Sequence, residues 1–262
     1  MRRLIIESGA SYILCVMFSN GKAIGHCIYE NREPPEGVAA SVKEFVSRYV
    51  GFGGATPSRF RVPVPVLTPC SVVINSEKSV VRFSTAQKAG KPPGKKAPVQ
   101  PEDGPLPIRP ADYICETKKL YGDAGGTRLV SAAVPSDIAE AWVAVCKSCG
   151  VSLKAIRNHE LSVGLYCARK YKSGPYERGF MAAAETGGLI SLSFIKGGRL
   201  KAIRRIGCNT SGLGELKRAT AFEDVTEAVL CGFADSGRFE EDLLRVGINP
   251  VIADRMDYLS EI

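Results

Sequence analysis

Long hydrophobic runs are missing from this 262-residue sequence: no apolar stretch reaches the roughly 18 residues that cross a bilayer. Near the N-terminus, Leu4-Ile5-Ile6 is apolar, but the run stops at Glu7. The segment therefore lacks the apolar core and the small-residue cleavage site of a secretory signal. We expect neither a membrane-spanning nor an exported protein.

Histidine is scarce as well, with only His26 and His159 in the chain. The pair Cys146 and Cys149 has the spacing of metal ligands, but zinc needs two more ligands and no second close cysteine pair exists. We therefore expect no metal site. The nine cysteines lie mostly in apolar runs, which is typical of buried thiols in a reducing cytoplasm. We expect His26 to be a packed or edge residue of a strand, and His159 to cap a helix or lie on the surface.

A concentrated block of charge is also missing, although the net charge is +8. The basic residues are spread along the chain, tryptophan occurs once and no nucleic-acid-binding motif is present, so we expect no nucleic acid partner. Residues 85–110 differ from their surroundings because they contain seven prolines and few large apolar side chains. We expect a mobile, extended loop there, either a solvated insertion or a segment that touches a membrane or partner.

The remaining patterns alternate between strands and helices, which favours a layered α/β fold. Asn20-Gly21 carries the signal of a tight hairpin between two apolar strands. Gly51 and Gly150 follow runs with helical spacing and are expected to end two of the helices. The predicted strands cover residues 4–6, 13–18, 23–29, 72–74, 80–83, 128–134, 153–156, 180–184, 189–195, 200–206, 225–230 and 250–253, and the predicted helices cover 38–49, 136–150, 161–171 and 239–244.

Two segments of the chain copy each other. Residues 4–14 and 182–192 both contain an apolar strand, a glutamate, a hydroxyl residue, a glycine and a second strand, and each is followed by a hairpin that closes on glycine and a basic residue. The copies lie 178 residues apart, which indicates a duplication on the scale of a domain rather than a short-repeat array.

Turns of this kind have a physical use. Small residues leave backbone N–H groups open to an approaching phosphate, and a carboxylate beside the turn positions Mg²⁺ or a hydrolytic water. The alternative is that Glu7 and Glu185 are ordinary exposed turn residues. The candidate phosphate-binding residues are Glu7, Ser8, Gly9, Ala10, Ser11, Glu185, Thr186, Gly187 and Gly188.

The duplicated turns resemble those of the actin-like superfamily, and the chain is most similar to PilM-type pilus-assembly proteins and to the cytoplasmic domains of type II secretion L proteins. Further stretches carry this resemblance: 129–135 with the following helix, 151–162, and 230–237 with 247–251. The resemblance implies an α/β, actin-like (ribonuclease H-like) duplicated fold with a mixed sheet flanked by helices in each half. It implies a first half over residues 1–170, with an inserted subdomain, and a shortened second half over 171–262. It also adds Gly232, in the adenosine-side motif, to the candidate residues.

The chain departs from the family where nucleotide would bind. Both turns begin with glutamate where aspartate is usual, and the family's Gly-Gly has become Gly232-Phe233, so that a bulky ring is expected on the base side. The resemblance therefore implies a non-enzymatic scaffold with degenerate or lost ATP binding. We expect no cofactor, with Mg²⁺-ATP as the alternative.

The resemblance also implies a partner and a location. The partner is the cytoplasmic segment of an inner-membrane pilus or secretion assembly protein, with self-association left open. The protein would be cytoplasmic and peripheral to the inner membrane. The competing interpretation is an active actin-like ATPase or a small-molecule kinase.

Overall fold

The computed structural model describes residues 2–30, 36–49, 68–86, 109–123, 126–173, 176–186, 188–207, 212–221, 225–233 and 236–261. Most of the expected loop at 85–110 lies outside these residues. The chain divides into two compact units. Unit 1 comprises Met1–Ser76, Asp137–His159 and Arg255–Ile262, and unit 2 comprises Glu77–Ser136 and Glu160–Asp254. The predicted division at residue 170 stays a prediction.

Unit 1 is built on one five-stranded mixed sheet. Its elements are β1 (Arg2–Ser8), β2 (Tyr12–Ser19), β3 (Lys22–Glu30), α1 (Glu36–Tyr49), β4 (Pro69–Ile74), α2 (Ser136–Ser148) and β8 (Ser152–Asn158), together with a C-terminal helix, α6 (Arg255–Ser260). The strand order is β3-β2-β1-β4-β8, antiparallel from β3 to β1 and parallel from β1 to β8. Because β1 is central, Leu4, Ile5 and Ile6 are all buried, so the strand reads as a continuous apolar run.

Unit 2 contains two sheets. Its elements are β5 (Val80–Ala86), β6 (Tyr113–Asp123), β7 (Gly126–Pro135), α3 (His159–Lys170), β9 (Phe180–Thr186), β10 (Leu189–Lys196), β11 (Arg199–Gly207), α4 (Gly212–Ala221), β12 (Glu227–Cys231), α5 (Gly237–Arg245) and β13 (Asn249–Ala253). A 3₁₀ turn, Pro110–Asp112, precedes β6. The five-stranded sheet has the order β11-β10-β9-β12-β13, and the three-stranded sheet has the order β5-β7-β6.

The two five-stranded sheets have the same topology. In each, a meander of three antiparallel strands is followed by two strands that add in parallel beside the first strand of the meander. The duplication that the sequence predicts is therefore present in the strand connections. In the sequence, the three strands of the small sheet are inserted between β4 and β8, and they belong to unit 2.

Arginine side chains tie the three-stranded sheet to the larger sheet inside unit 2. Arg128 on β7 donates to the carbonyl oxygen of Lys201 on β11 at 3.2 Å. Arg205 on β11 donates to the backbone carbonyl oxygen of Glu77 at 2.6 Å and to that of Ser79, just before β5. Backbone carbonyls at the start of the insertion thus have charged donors.

Most predicted elements are confirmed, and the exceptions are specific. The hairpin at Asn20-Gly21 has positive φ at both residues, 51° and 79°, as a type I′ turn requires. The sequence patterns missed β6, α4 and α6. In the described residues, no helix is long and apolar enough to span a membrane.

Candidate functional site

The first candidate turn begins two residues later than the sequence predicts. Glu7 and Ser8 are the last two residues of β1, and Gly9, Ala10 and Ser11 form the turn. The N–H of Gly9 donates to the carbonyl oxygen of Tyr12 at 2.9 Å, which closes the turn. Ala10 and Ser11 are exposed, whereas Glu7 is fully buried, so the prediction that Glu7 is an exposed turn residue is wrong.

An arginine compensates the buried carboxylate of Glu7. In Arg255, the first residue of α6, Nη2 donates to Oε1 of Glu7 at 2.6 Å and Nε donates to Oε2 at 3.2 Å. Both carboxylate oxygens are thus engaged by one guanidinium, the bidentate geometry in which this pair is strongest. The Arg255 side chain is 21% exposed and that of Glu7 is 0% exposed, so the pair is largely removed from water.

Tyr12 completes the hydrogen bonding around this carboxylate. Its hydroxyl donates to Oε1 of Glu7 at 2.5 Å and accepts from Nη2 of Arg255 at 2.5 Å and from Nδ2 of Asn75 at 3.1 Å. The Tyr12 ring lies directly against the Cα of Gly9, where a side chain would overlap it. The guanidinium of Arg255 lies over the same ring, 4.8 Å from its centroid. Glycine is therefore required at position 9 by this close approach.

His159 lies in the same cluster and is the first residue of α3, so of the two expectations for it the surface position is wrong. It is 1% exposed, and its Nε2 lies 3.6 Å from Oε1 of Glu7. Its ring meets that of Tyr258 edge-on, with centroids 5.8 Å apart. We name the residues Glu7, Tyr12, Asn75, His159 and Arg255 the Glu7 cluster; all of them belong to unit 1.

The charge state of the Glu7 cluster follows from burial and pairing. Burial raises the pKa of Glu7, but the charge of Arg255 and the hydrogen bonds from Arg255 and Tyr12 lower it by more, so the net pKa is below its ordinary value; His159 acts in the same direction when it is protonated. Burial lowers the pKa of His159, and this outweighs the opposing effect of Glu7. Near neutral pH, His159 is therefore uncharged and Arg255 is the cation that balances Glu7.

The second candidate turn is different in its surroundings. Glu185 and Thr186 end β9, and Gly188 follows with a φ of +84° and is exposed; Gly187 lies outside the described residues. Glu185 is only partly buried. The positive φ at Gly188 favours glycine because a side chain is strained there.

The structure places Gly232 beside this second turn. Cys231, the last residue of β12, pairs with Ala184 on β9, so Gly232 and Glu185 lie at the carboxyl ends of neighbouring parallel strands. That is the edge where open α/β sheets bind ligands. Gly232 has a φ of +71°. The ring of Phe233 stacks on that of Phe239, with centroids 5.4 Å apart and planes 13° apart, and it packs against the apolar core of unit 2.

Sequence reasoning found the carboxylate of the Glu7 cluster but not its partners. Arg255 is separated from Glu7 by 248 residues, and nothing local distinguishes it from the other basic residues. Tyr12 had a usable signal, because it follows the turn directly. In the described part of the chain, no group of three or more His, Cys, Asp or Glu side chains is arranged to hold a metal ion.

Comparison with solved structures shows an actin-like fold, as the resemblance predicts. Similar structures include the PilM-PilN type IV pilus biogenesis complex (TM-score 0.69, 13% identity, 98% of this chain and 89% of that one). A Bacteroides thetaiotaomicron protein with actin-like ATPase fold and unknown function matches at TM-score 0.60 and 10% identity over 100% and 96% of the two chains. The cytoplasmic domain of EpsL, an inner-membrane component of the Vibrio cholerae type II secretion system, matches at TM-score 0.52 and 10% identity, over 100% of this chain and 94% of that one. No family model and no curated protein matches the chain.

Proposed function

We propose that this protein is a non-enzymatic, actin-like scaffold of a type IV pilus or type II secretion-like assembly platform. It acts by docking the cytoplasmic segment of an inner-membrane assembly protein, which places it in the cytoplasm and peripheral to that membrane. Its ATP-binding function is lost.

The Glu7 cluster is the observation that carries this proposal. A carboxylate at the first turn holds Mg²⁺ only if its oxygens are open to the metal. Both oxygens of Glu7 already accept hydrogen bonds from Arg255, and Oε1 accepts another from Tyr12. Mg²⁺ demands near-ideal octahedral geometry and gives up its water reluctantly, so it is a poor competitor for a buried, bidentate pair. The residues at the first turn do not fit Mg²⁺-ATP.

Phe233, in unit 2, supports the same conclusion. Its ring stacks on Phe239 and packs against the core, beside Gly232 of the adenosine-side motif. A stacked aromatic pair is stabilised beyond its apolar burial, so displacing the ring for a base carries a cost.

The comparisons support the proposed partner. PilM was determined in a complex with PilN, and EpsL is an inner-membrane component of its secretion system. The chain covers most of both structures, but at 13% and 10% identity. Fold analogy therefore supports the docking role without assigning its residues.

The competing candidate is an active actin-like ATPase or small-molecule kinase, and the second turn is what favours it. Glu185 is only partly buried and Gly188 is exposed with positive φ, which suits contact with phosphate. One such turn is insufficient, because the expected nucleotide site uses both turns.

Calorimetric titration with Mg²⁺-ATP tests the loss of nucleotide binding. We expect no saturable heat up to millimolar nucleotide. Micromolar binding that disappears in a Glu185→Gln variant would overturn this part of the proposal and establish the competing candidate. An Arg245→Gln variant is the control, because the Arg245 side chain on α5 is 63% exposed.

Binding to inside-out inner-membrane vesicles from the source cell tests the docking role. We expect the purified protein to sediment with these vesicles, and we expect prior trypsin treatment of the vesicles to abolish sedimentation, because the docking segment is a polypeptide. Sedimentation that survives trypsin, or no sedimentation with untreated vesicles, would contradict the proposal.

A further inference from the structure

In unit 2, two basic side chains of β11 lie against one aromatic ring, and two further basic residues are its neighbours on β7 and β6. The guanidinium carbon of Arg199 and the ammonium of Lys201, both on β11, lie 5.0 and 4.7 Å from the ring centroid of Tyr121 on β6. Arg128 on β7 is the cross-strand neighbour of Tyr121. Lys119 lies two residues before Tyr121 on β6, and its ammonium group lies near Gly122. We name these five residues the Tyr121 cluster.

The four cations of the Tyr121 cluster are not neutralised within the described part of the chain. Arg128 donates to two neutral oxygens, the hydroxyl of Thr85 at 3.0 Å and the carbonyl of Lys201 at 3.2 Å. None of the ion pairs formed among the described residues involves any of the four. The strand β11 has no acidic residue, and its Arg205 is already paired with Glu160 at 2.5 Å and adds nothing to this charge. Like charges held this close repel one another, so an anion at this surface is favoured.

An open sheet edge adjoins the Tyr121 cluster. The strand β6 is the outer strand of the three-stranded sheet, and none of the described strands pairs with its outer edge. Residues 114–119 are exposed in succession, so both faces of this part of β6 are open to solvent. An edge of this kind offers backbone N–H and C=O groups to an extended peptide, which adds as a further strand.

We propose that the outer edge of β6, together with the Tyr121 cluster, is a docking surface for an extended, acidic segment of a partner protein. Backbone pairing along β6 supplies the affinity for an extended chain, and the Tyr121 cluster selects carboxylates at one end of it. This inference rests on the proposed docking function and specifies the chemistry of the docked segment.

Two features favour a peptide over other anions. Arg199 and Lys201 occupy the ring of Tyr121, so the ring is not available as a platform on which nucleic acid bases stack. A lipid headgroup would use the cations but not the unpaired edge of β6. Lysines on an edge strand also discourage aggregation, but that role does not require cations from β7 and β11.

Fluorescence polarisation with short labelled peptides tests the proposal. The probe alternates valine with glutamate; one control alternates valine with lysine, and a second has the acidic sequence with N-methylated amides along one edge. We expect the acidic probe to bind, with affinity that falls as salt rises. We expect the basic and the N-methylated peptides not to bind, since the first lacks the charge and the second cannot pair as a strand.

Charge variants locate the binding surface. Because an exposed ion pair contributes up to about 1 kcal/mol, the double variant Arg199→Gln, Lys201→Gln should weaken binding by about fivefold or more. The double variant Lys147→Gln, Lys154→Gln removes the same charge from exposed positions in unit 1 and should bind as the wild type does. If the first variant unfolds, Lys119→Gln on the exposed face of β6 replaces it, with a weakening of at least about twofold.

Other outcomes overturn the proposal. If the N-methylated probe binds as tightly as the acidic probe, charge alone accounts for binding. If both double variants bind the acidic probe with the same affinity, the Tyr121 cluster does not contribute to binding. Binding of phosphatidylglycerol vesicles or of a single-stranded oligonucleotide that depends on Arg199 and Lys201, without binding of the acidic peptide, would replace the peptide with that ligand. Vesicle sedimentation that is lost on trypsin treatment but unchanged in the double variant would preserve the docking function and reject this surface.

Discussion

Replacing Arg255 with methionine should destabilise unit 1 substantially. Methionine keeps most of the aliphatic volume of arginine, so the main change is the loss of the guanidinium. The carboxylate of Glu7 then remains fully buried with only the hydrogen bond from Tyr12 to support it. A buried charge without its counter-ion is among the few changes that cost several kcal/mol.

The magnitude follows from the burial of the two partners. Removing one partner of a buried ion pair costs about 3–5 kcal/mol. Because the Arg255 side chain is 21% exposed, water relieves part of the loss, and we expect about 2–4 kcal/mol. A double variant, Glu7→Gln with Arg255→Met, removes both charges and should recover about half or more of that loss.

The assay uses the single tryptophan of the chain. Trp142 is buried on α2 in unit 1, so its fluorescence during urea unfolding reports on that unit. Arg245→Met is the control, because Arg245 and its partner Glu241 are 63% and 68% exposed. A surface pair of this kind contributes less than about 1 kcal/mol.

The pH dependence gives a second, independent check. In the wild type the pKa of Glu7 lies below its ordinary value of 4.5, so the ion pair contributes stability above that pH and loses it as the pH falls. Without Arg255, burial raises the pKa of Glu7, and the variant loses stability as the pH rises. The difference between wild type and variant should therefore grow from acidic to neutral pH. A loss below about 1 kcal/mol, or one that is independent of pH, would refute the buried ion pair.

Three further changes test the surroundings of the two turns. Burial lowers the pKa of His159, so wild-type stability should decrease, by up to about 1.4 kcal/mol per pH unit, as the pH falls below about 6.5, and His159→Gln should flatten that slope in urea titrations. Gly9→Ala should cost about 2 kcal/mol, because the methyl group overlaps the Tyr12 ring, whereas Gly214→Ala on α4 meets nothing within 4 Å and should be neutral or stabilising. Phe233→Ala should cost about 2 kcal/mol in the thermal unfolding of unit 2, since it removes the stacking on Phe239.

Each of these expectations has an outcome that contradicts it. An unchanged pH slope in His159→Gln would mean that the imidazole takes up its proton in the folded state. Equal stabilities of the Gly9→Ala and Gly214→Ala variants would show that the Tyr12 ring does not closely approach Gly9. A Phe233→Ala variant as stable as the wild type would show that the ring is not part of the packing of unit 2.

The sequence predicts an element well where its signal is local. The hairpin at Asn20-Gly21 was predictable because two consecutive positive φ angles restrict the residues that fit there. The strand β6 was missed because both of its faces are exposed over residues 114–119, so it lacks the alternation that one buried face imposes. The helix α6 was missed because it is short, with six residues.

The site was only partly predictable for a different reason. The duplicated pattern located Glu7 and Glu185 at the ends of equivalent strands, and the structure places both there. It could not give their surroundings, because these depend on contacts between distant parts of the chain. His159 contacts Glu7 and Tyr258, and both contacts bridge about a hundred residues or more, so its flanking sequence gave no sign of burial.

The duplication also gives Arg255 a defined place in the repeated framework. The strand registers make Ile156 on β8 equivalent to Ala253 on β13, since they pair with equivalent positions of the neighbouring strands. Two residues further along, Asn158 is therefore equivalent to Arg255. The duplicated framework thus carries a neutral amide in one copy and a guanidinium in the other. Because Arg255 in one copy corresponds to Asn158 in the other, the two copies share one strand topology and still differ in the charge that they carry at this position.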